Sequence, residues 1–232
     1  MRDSAVNGRR RLRVRAIAPL HLAAEEVARR QARYGRLGGD RLSVELVNLG
    51  ERAPRRLDSA EDIAASEGYV REEIGRTDPG RFDVILPDCV LDPAVGEVER
   101  APVPLVGILR LAAGHIASLG GSFAAVARNR AIGNELRRRI AGYGLIGHLV
   151  AIELLDVDFC FVSDEAGWAR AMRPLEGSLA ARGVTTVLNG CSAVEVAGPR
   201  PGGVRLVDPT RLAMQLLGVA TEAWLVGTGG ER

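Results

Sequence analysis

The chain contains no lysine: all 31 of its basic residues are arginine. An internal Schiff base with pyridoxal phosphate is therefore excluded. So are a Walker A phosphate loop and a lysine general base. Aromatic residues are scarce at 4%, and 232 residues hold only three cysteines and three histidines. Cys89, Cys160 and Cys191 are odd in number and form no CxxC pair, which argues against a disulfide scaffold or a zinc ribbon. His21, His115 and His148 lack metal-ligand spacing. No run of 18 apolar residues occurs, so no membrane span is expected. The basic residues 9–11 are followed by an apolar stretch broken by Pro19 and His21, which does not read as an export signal. With 31 basic against 29 acidic residues the net charge is +2, which gives no footprint for nucleic acid. These absences lead us to expect a soluble, reducing, cytoplasmic protein without a metal site and without a nucleic-acid or membrane partner.

What is present is a 47% hydrophobic, 26% charged globular composition, enough for a core. Short β-branched runs ending in Gly, Pro, Asp or Asn alternate with Ala/Arg/Glu-rich helical stretches, the pattern of βαβ units. Strands are expected at 12–18, 43–49, 82–87 and 103–106, and again at 122–127, 150–155, 185–188 and 204–207. A further short strand is expected at 159–162, with Cys160 in the core. Helices are expected at 23–34, 61–75, 109–119, 134–143, 165–182 and 211–217.

The two sets of strands read as a duplication. Val84-Ile85-Leu86-Pro87-Asp88-Cys89 overlays Thr186-Val187-Leu188-Asn189-Gly190-Cys191: an apolar strand, two turn residues, then a cysteine. A further strand begins 14 residues past Cys89, at Val103, and 13 past Cys191, at Val204. Val14 and Phe123 lie in the strands that open the halves, 75 and 68 residues ahead of their cysteines. Four landmarks in matching order predict an α/β fold of two pseudo-symmetric lobes, each with a mainly parallel four-stranded sheet and the active site in the cleft between them. The lobes are expected to comprise residues 1–104 with 208–232, and 105–207.

Cys89 and Cys191 then fall just past the C-terminal ends of parallel strands, where open α/β sheets bind ligands. Opposed thiols across a cleft suit removal of a proton from one face of a small carbon acid and its return to the other. A thiol titrates near pH 8.5, so modest help from a helix N-terminus makes it a base at neutral pH. Backbone N–H groups of Val90, Leu91, Ser192 and Ala193 are candidates to hold a developing enolate. Asn129 joins Val90, Leu91 and Ser192 in shaping the pocket, and Arg128 is a candidate partner for a carboxylate or ureido oxygen. Asp88 is placed to orient the first thiol. Asp92-Pro93 and Asp208-Pro209 read as turns or helix starts. Arginines 137–139 read as a solvated face, and 227–232 as a frayed tail.

These residues resemble the aspartate/glutamate/hydantoin racemase superfamily, nearest its hydantoin and allantoin racemase branch. The resemblance is carried by Asp88-Cys89-Val90-Leu91-Asp92-Pro93, Pro104-Leu105-Val106-Gly107, Leu188-Asn189-Gly190-Cys191-Ser192-Ala193 and Val207-Asp208-Pro209, and spans about Val14 to Leu217. It implies two α/β lobes, a catalytic thiol from each, no cofactor, a small-molecule substrate and a homo-oligomer. Glutamate-type members carry Asn-Thr after the first cysteine and Thr-His after the second. Here Val90-Leu91 and Ser192-Ala193 stand there, which points away from free amino acids and toward a less charged ring. The Asn-Pro-Asn-Thr that opens many hydantoin-type sequences is Ala18-Pro19-Leu20-His21, placing Pro19 and His21 beside the expected cleft. A Thr common after the second lobe's first strand is replaced by Arg128-Asn129. Two other activities share the scaffold: a maleate-type cis–trans isomerase and an arylmalonate-type decarboxylase, the latter needing only the second cysteine. A non-catalytic accessory binding protein is the alternative from a different class.

Overall fold

The structure, a computed structural model, describes residues 10–96, 100–196 and 203–227, with side chains to residue 220. Arg9 and residues 228–232 of the expected tail lie outside the described residues. Among the described residues seven strands form two parallel sheets. The first is β1 (Leu12–Ile17), β2 (Leu42–Val47) and β3 (Val84–Pro87), in the order β2-β1-β3. The second is β4 (Phe123–Ala127), β5 (Leu149–Leu154), β6 (Thr186–Asn189) and β7 (Arg205–Val207), in the order β5-β4-β6-β7. Each opening strand sits inside its sheet, flanked by the next strand and by the strand that leads to a cysteine. β3 (VILP) and β4 (FAAVA) are buried at every position, as strands covered on both faces must be.

The first sheet has three strands where four were expected. The stretch at 103–106 reaches it only through a parallel bridge between Ile85 and Leu105. Its prolines are the physical reason: Pro104 has no N–H for a ladder. Its carbonyl still accepts from Ile85 N at 2.9 Å, and Val106 N donates to the Ile85 carbonyl at 2.9 Å. This bridge occupies the place β7 takes in the second sheet, so the duplicated order survives.

Among the described residues six α-helices cover the sheets: α1 (Ala24–Gly38), α2 (Ala60–Gly75), α3 (Ile108–Ser118), α4 (Arg130–Gly142), α5 (Glu165–Ala181) and α6 (Pro209–Gly227). α2 begins with a reciprocal capping box between Ser59 and Asp62. Asn129 caps α4 by accepting from Ile132 N at 2.9 Å. α6 returns to the first half and packs on α1, α3, β1 and β2. Asp208 accepts from Arg211 N at 3.0 Å and so caps α6, as its position before a proline suggested. No described helix is long and apolar enough to cross a membrane.

Three local expectations change. Residues 159–162 form a 3-10 helix rather than a strand. Side chains three apart eclipse there, so Phe159 and Val162 turn to the same cavity while Cys160 is left exposed, not in the core. Arginines 137–139 are not uniformly a solvated face. Arg139 is buried, donating to Glu67 at 2.7 and 2.8 Å and to Glu135 at 2.6 Å. Neither cysteine loop runs directly into a helix: 89–96 and 191–196 are turns and bends.

Candidate active site

Cys89 and Cys191 follow β3 and β6 at matched positions, and both line one cavity of about 60 Å³ between the sheets. That is several times the ~10–15 Å³ that one water requires. The same backbone bond holds each strand end: Asp88 N donates to the Ile17 carbonyl and Gly190 N to the Val126 carbonyl, both at 2.7 Å. Pro19, Val90, Leu91, Arg128, Ser192 and Ala193 also line the cavity. His21 and Asn129 do not. His21 N is bonded to the Pro54 carbonyl, and its side chain lines an outer depression with Glu26, Arg29 and Cys160. Asn129 is consumed as the α4 cap, with its Nδ2 on the Leu57 carbonyl at 3.0 Å.

Arg128 stands where the expected carboxylate partner should be, but it already has one. Its guanidinium donates to the Leu57 carbonyl at 2.8 Å and to the Asp58 carboxylate, and stacks on Phe159 at 5.5 Å. Arg30, which the sequence reading passed over, lines the cavity and is likewise paired. It donates to Asp88 at 2.9 Å and to Glu26 at 2.7 Å. Tyr34 Oη donates to the other Asp88 oxygen at 2.7 Å. The remaining lining is largely apolar, with Leu20, Leu57, Ile132, Phe159 and Val162. A signal for Arg30 existed. On α1, Arg30, Arg33 and Tyr34 share one helical face, and all three are buried. Arginine on a helix's inward stripe marks a site that must satisfy charge.

Burial raises both thiols rather than lowering them. Cys89 is pushed up to about 12, with Asp88, Cys191 and Asp92 adding to the rise and the Leu91 N–H opposing it. Leu91 N lies 3.5 Å from the Cys89 sulfur. Cys191 is also raised by burial, but the Ala193 and Val194 N–H groups and the Arg30 and Arg128 guanidiniums pull it back. Among the described residues neither cysteine loop enters a helix N-terminus; backbone N–H groups act instead, that of Leu91 on Cys89 and those of Ala193 and Val194 on Cys191. The Cys89 loop also holds left-handed backbone at two residues other than glycine, Asp92 (φ 49) and Ala94 (φ 64), a conformation tolerated where surrounding structure enforces it. The enforcing contacts are visible. Asp92 accepts from Leu109 N at 2.9 Å, Arg110 N at 2.8 Å and Tyr143 Oη at 2.9 Å, so this loop caps α3. Gly107 must be glycine, because a Cβ there would lie 2.2 Å from an Asp92 oxygen.

Two parallel α/β halves thus bring one cysteine each to a shared cavity. The Asp/Glu/Hydantoin racemase family model matches residues 23–217. The chain belongs to that racemase family, and racemases are isomerases. No curated protein sequence gives a significant match. Among solved structures, the allantoin racemase of Pseudomonas fluorescens is similar at a TM-score of 0.72 and 16% identity, covering 92% of each chain. Allantoin racemase from Klebsiella pneumoniae gives 0.70 and 18%, covering 92% of this chain and 89% of that one. Glutamate racemase from Bacillus anthracis gives 0.58 and 13%, covering 93% and 83%. At these identities the likeness is one of fold.

Proposed function

We propose that the protein racemises a small, uncharged cyclic carbon acid of the hydantoin or allantoin type by two-thiol proton transfer. The observation that carries this reading is the pair of free cysteines at equivalent strand ends, opening into one largely apolar cavity. One thiolate takes the proton from the carbon beside the ring carbonyl, leaving an enolate. The opposite thiol gives a proton to the other face, and the two exchange roles for the other enantiomer. The Leu91, Ala193 and Val194 N–H groups serve the thiolates, and a developing oxyanion benefits from the same kind of donor.

The lining selects the substrate class. Both guanidiniums at the cavity are ion-paired, Arg30 with Asp88 and Glu26 and Arg128 with Asp58. A free amino acid or a dicarboxylate therefore meets neither an uncommitted cation nor an uncommitted anion, and burying an unmatched charge is costly. This disfavours aspartate and glutamate, and equally the maleate and arylmalonate substrates of the alternative activities. Phe159, Leu57, Ile132 and Val162 favour an apolar substituent at the stereocentre over a ureido group.

The test is proton exchange followed by NMR in heavy water, with allantoin, 5-alkyl and 5-aryl hydantoins, aspartate, glutamate, maleate and an arylmalonate. Cys89→Ser and Cys191→Ser are run beside the wild type. Exchange at the hydantoin stereocentre, abolished or made one-sided by either substitution, is expected. Turnover of maleate or arylmalonate instead, or exchange indifferent to both substitutions, would refute it. Ligand binding without any exchange would favour the accessory role.

A further inference from the structure

The loop after Cys191 has an uncommon backbone arrangement: side chains pin its carbonyls one after another. Asn189 Nδ2 donates to the Cys191 carbonyl at 2.9 Å and to the Val194 carbonyl at 3.2 Å. Arg33 Nη1 donates to the Ser192 carbonyl at 2.5 Å, and Thr210 Oγ1 to the same oxygen at 2.9 Å. Arg29 Nη2 donates to the Ala193 carbonyl at 3.0 Å. Four successive carbonyls, 191 to 194, are thus held by donors that lie away from the thiol. In a tight turn, fixing the carbonyls also fixes the N–H groups, and those of Ala193 and Val194 oppose the rise that burial imposes on the Cys191 thiol. The Cys89 loop is closed differently: Asp92 N bonds back to the Cys89 carbonyl at 3.1 Å, with a single N–H on the sulfur.

Most of these clamps come from the other half of the chain. Arg29 and Arg33 belong to α1, and Thr210 to the first turn of α6, which packs on α1. Arg33 is itself fixed by Asp208, whose two carboxylate oxygens both accept from Arg33 Nη2, at 2.8 and 2.6 Å. Both side chains are almost wholly buried, and Asp208 simultaneously caps α6. An arginine whose two terminal nitrogens hold a carboxylate and a carbonyl at once is a planar fork that the single nitrogen of lysine does not reproduce.

We infer that Arg33, supported by Arg29, is a positioning residue that shapes the N–H cradle around Cys191, so that the reactivity of the second thiol depends on the docking of α1. This rests on the reading of Cys191 as a reacting group. A consequence is that the two thiols respond differently to changes on α1, since no α1 side chain donates to the Cys89 loop carbonyls among the described bonds, apart from the hold on the Asp88 carboxylate.

The experiment uses the full chain in a Cys160→Ser background, because Cys160 is the exposed thiol and would otherwise consume reagent. Arg29→Met, Arg33→Lys and the charge-neutral pair Arg33→Met with Asp208→Asn are made. The pair avoids stranding a buried carboxylate, and circular dichroism with thermal melting confirms the fold of each. Alkylation by iodoacetamide is followed against pH, with each cysteine resolved by peptide mass spectrometry. In Arg33→Lys the alkylation of Cys191 at pH 8 is expected to fall about tenfold and its pH midpoint to rise, while Cys89 stays within about twofold. In racemisation, kcat falls by a similar factor with KM little changed, and Arg29→Met gives the same pattern more weakly. Equal changes at both cysteines in folded variants, or no change at Cys191, would overturn the inference. Full racemisation by Cys191→Ser would overturn the two-thiol reading instead, and the alkylation profiles would still decide the clamp.

Discussion

Replacing Gly190 by alanine tests whether the approach of β6 to β4 sets the second thiol. Gly190 is not in the left-handed region, so its backbone would accept alanine. Space is what forbids it. A Cβ there would lie 2.2 Å from the Val126 carbonyl oxygen and 2.9 Å from Leu136 Cδ1. Relief requires the strand end to move by roughly 1 Å, since C···O contacts settle near 3.3 Å or more. That shift breaks the 2.7 Å bond from Gly190 N to Val126. Overpacking contributes about 1–3 kcal/mol and the two unpaired buried backbone groups about as much again. A loss near 3 kcal/mol lowers Tm by roughly 6–12 °C in a domain of this size. Cys191 is the next residue, and a 1 Å misplacement of a reacting group costs on the order of 100-fold in rate. Calorimetry and the racemisation assay read both effects. Gly35→Ala on α1, where a Cβ meets nothing within 4 Å, is the control and stabilises by about 0.5–1 kcal/mol. A Gly190→Ala protein with Tm within about 1 °C of wild type and undiminished kcat would refute the reasoning.

Burial raises both thiols, so the reacting thiolate is a minor species at neutral pH. kcat/KM is expected to climb with pH from 7 toward 10, the falling limb appearing only where the partner thiol also loses its proton; a plateau by pH 8 would contradict this. Asp88→Asn leaves the buried Arg30 with Glu26 as its remaining carboxylate partner among the described ion pairs, at a cost of about 3 kcal/mol. A urea melt should show the midpoint fall without a change in slope, and an unchanged midpoint would count against the pair. Asp92, raised by burial to about 6, holds its proton more tightly folded than unfolded. Its stabilising contribution is therefore present in acid and lost as pH rises through 6. Between pH 7 and 5 the wild type should gain about 1 kcal/mol over Asp92→Asn, and parallel Tm curves for the two would exclude it.

The duplicated order was legible because it rests on local pattern: β-branched runs, turn residues and a cysteine at the same offset in each half. The failures have physical causes. The fourth strand of the first sheet was lost to Pro104, whose missing N–H outweighs the apolar composition around it. Residues 159–162 are not the expected strand because a short apolar run does not distinguish a strand from a 3-10 turn whose residues three apart face a cavity. Arg30 and Arg33 were passed over because arginine on a helix reads as surface until its partners, here 58 and 175 residues away in sequence, are known. Asn129 was placed in the pocket from its position after a strand, yet a residue there before a helix is first of all a cap.

The departure from symmetry matters more for chemistry than the symmetry does. Duplication places two thiols at equivalent strand ends, but proton transfer across a carbon needs one of them charged and the other not. The surroundings supply that difference. Carboxylates at Asp88 and Asp92 oppose charge on Cys89, while Arg30, Arg128 and two backbone N–H groups favour it on Cys191. Two thiols close enough to interact titrate as a pair, so the first proton lost belongs to both, with most of the charge resting where the cations and N–H donors lie. Under the proposed reaction the singly deprotonated pair is thus mainly the form with Cys191 as base and Cys89 as acid. Racemisation has an equilibrium constant of one, so such a bias leaves the two enantiomers with equal kcat/KM. It appears instead as unequal kcat and KM, each shifted by the same factor. The lone Leu91 N–H beside Cys89 and the clamped turn beside Cys191 are unequal settings on a duplicated frame, and under the proposed reaction their inequality decides which thiol carries the charge.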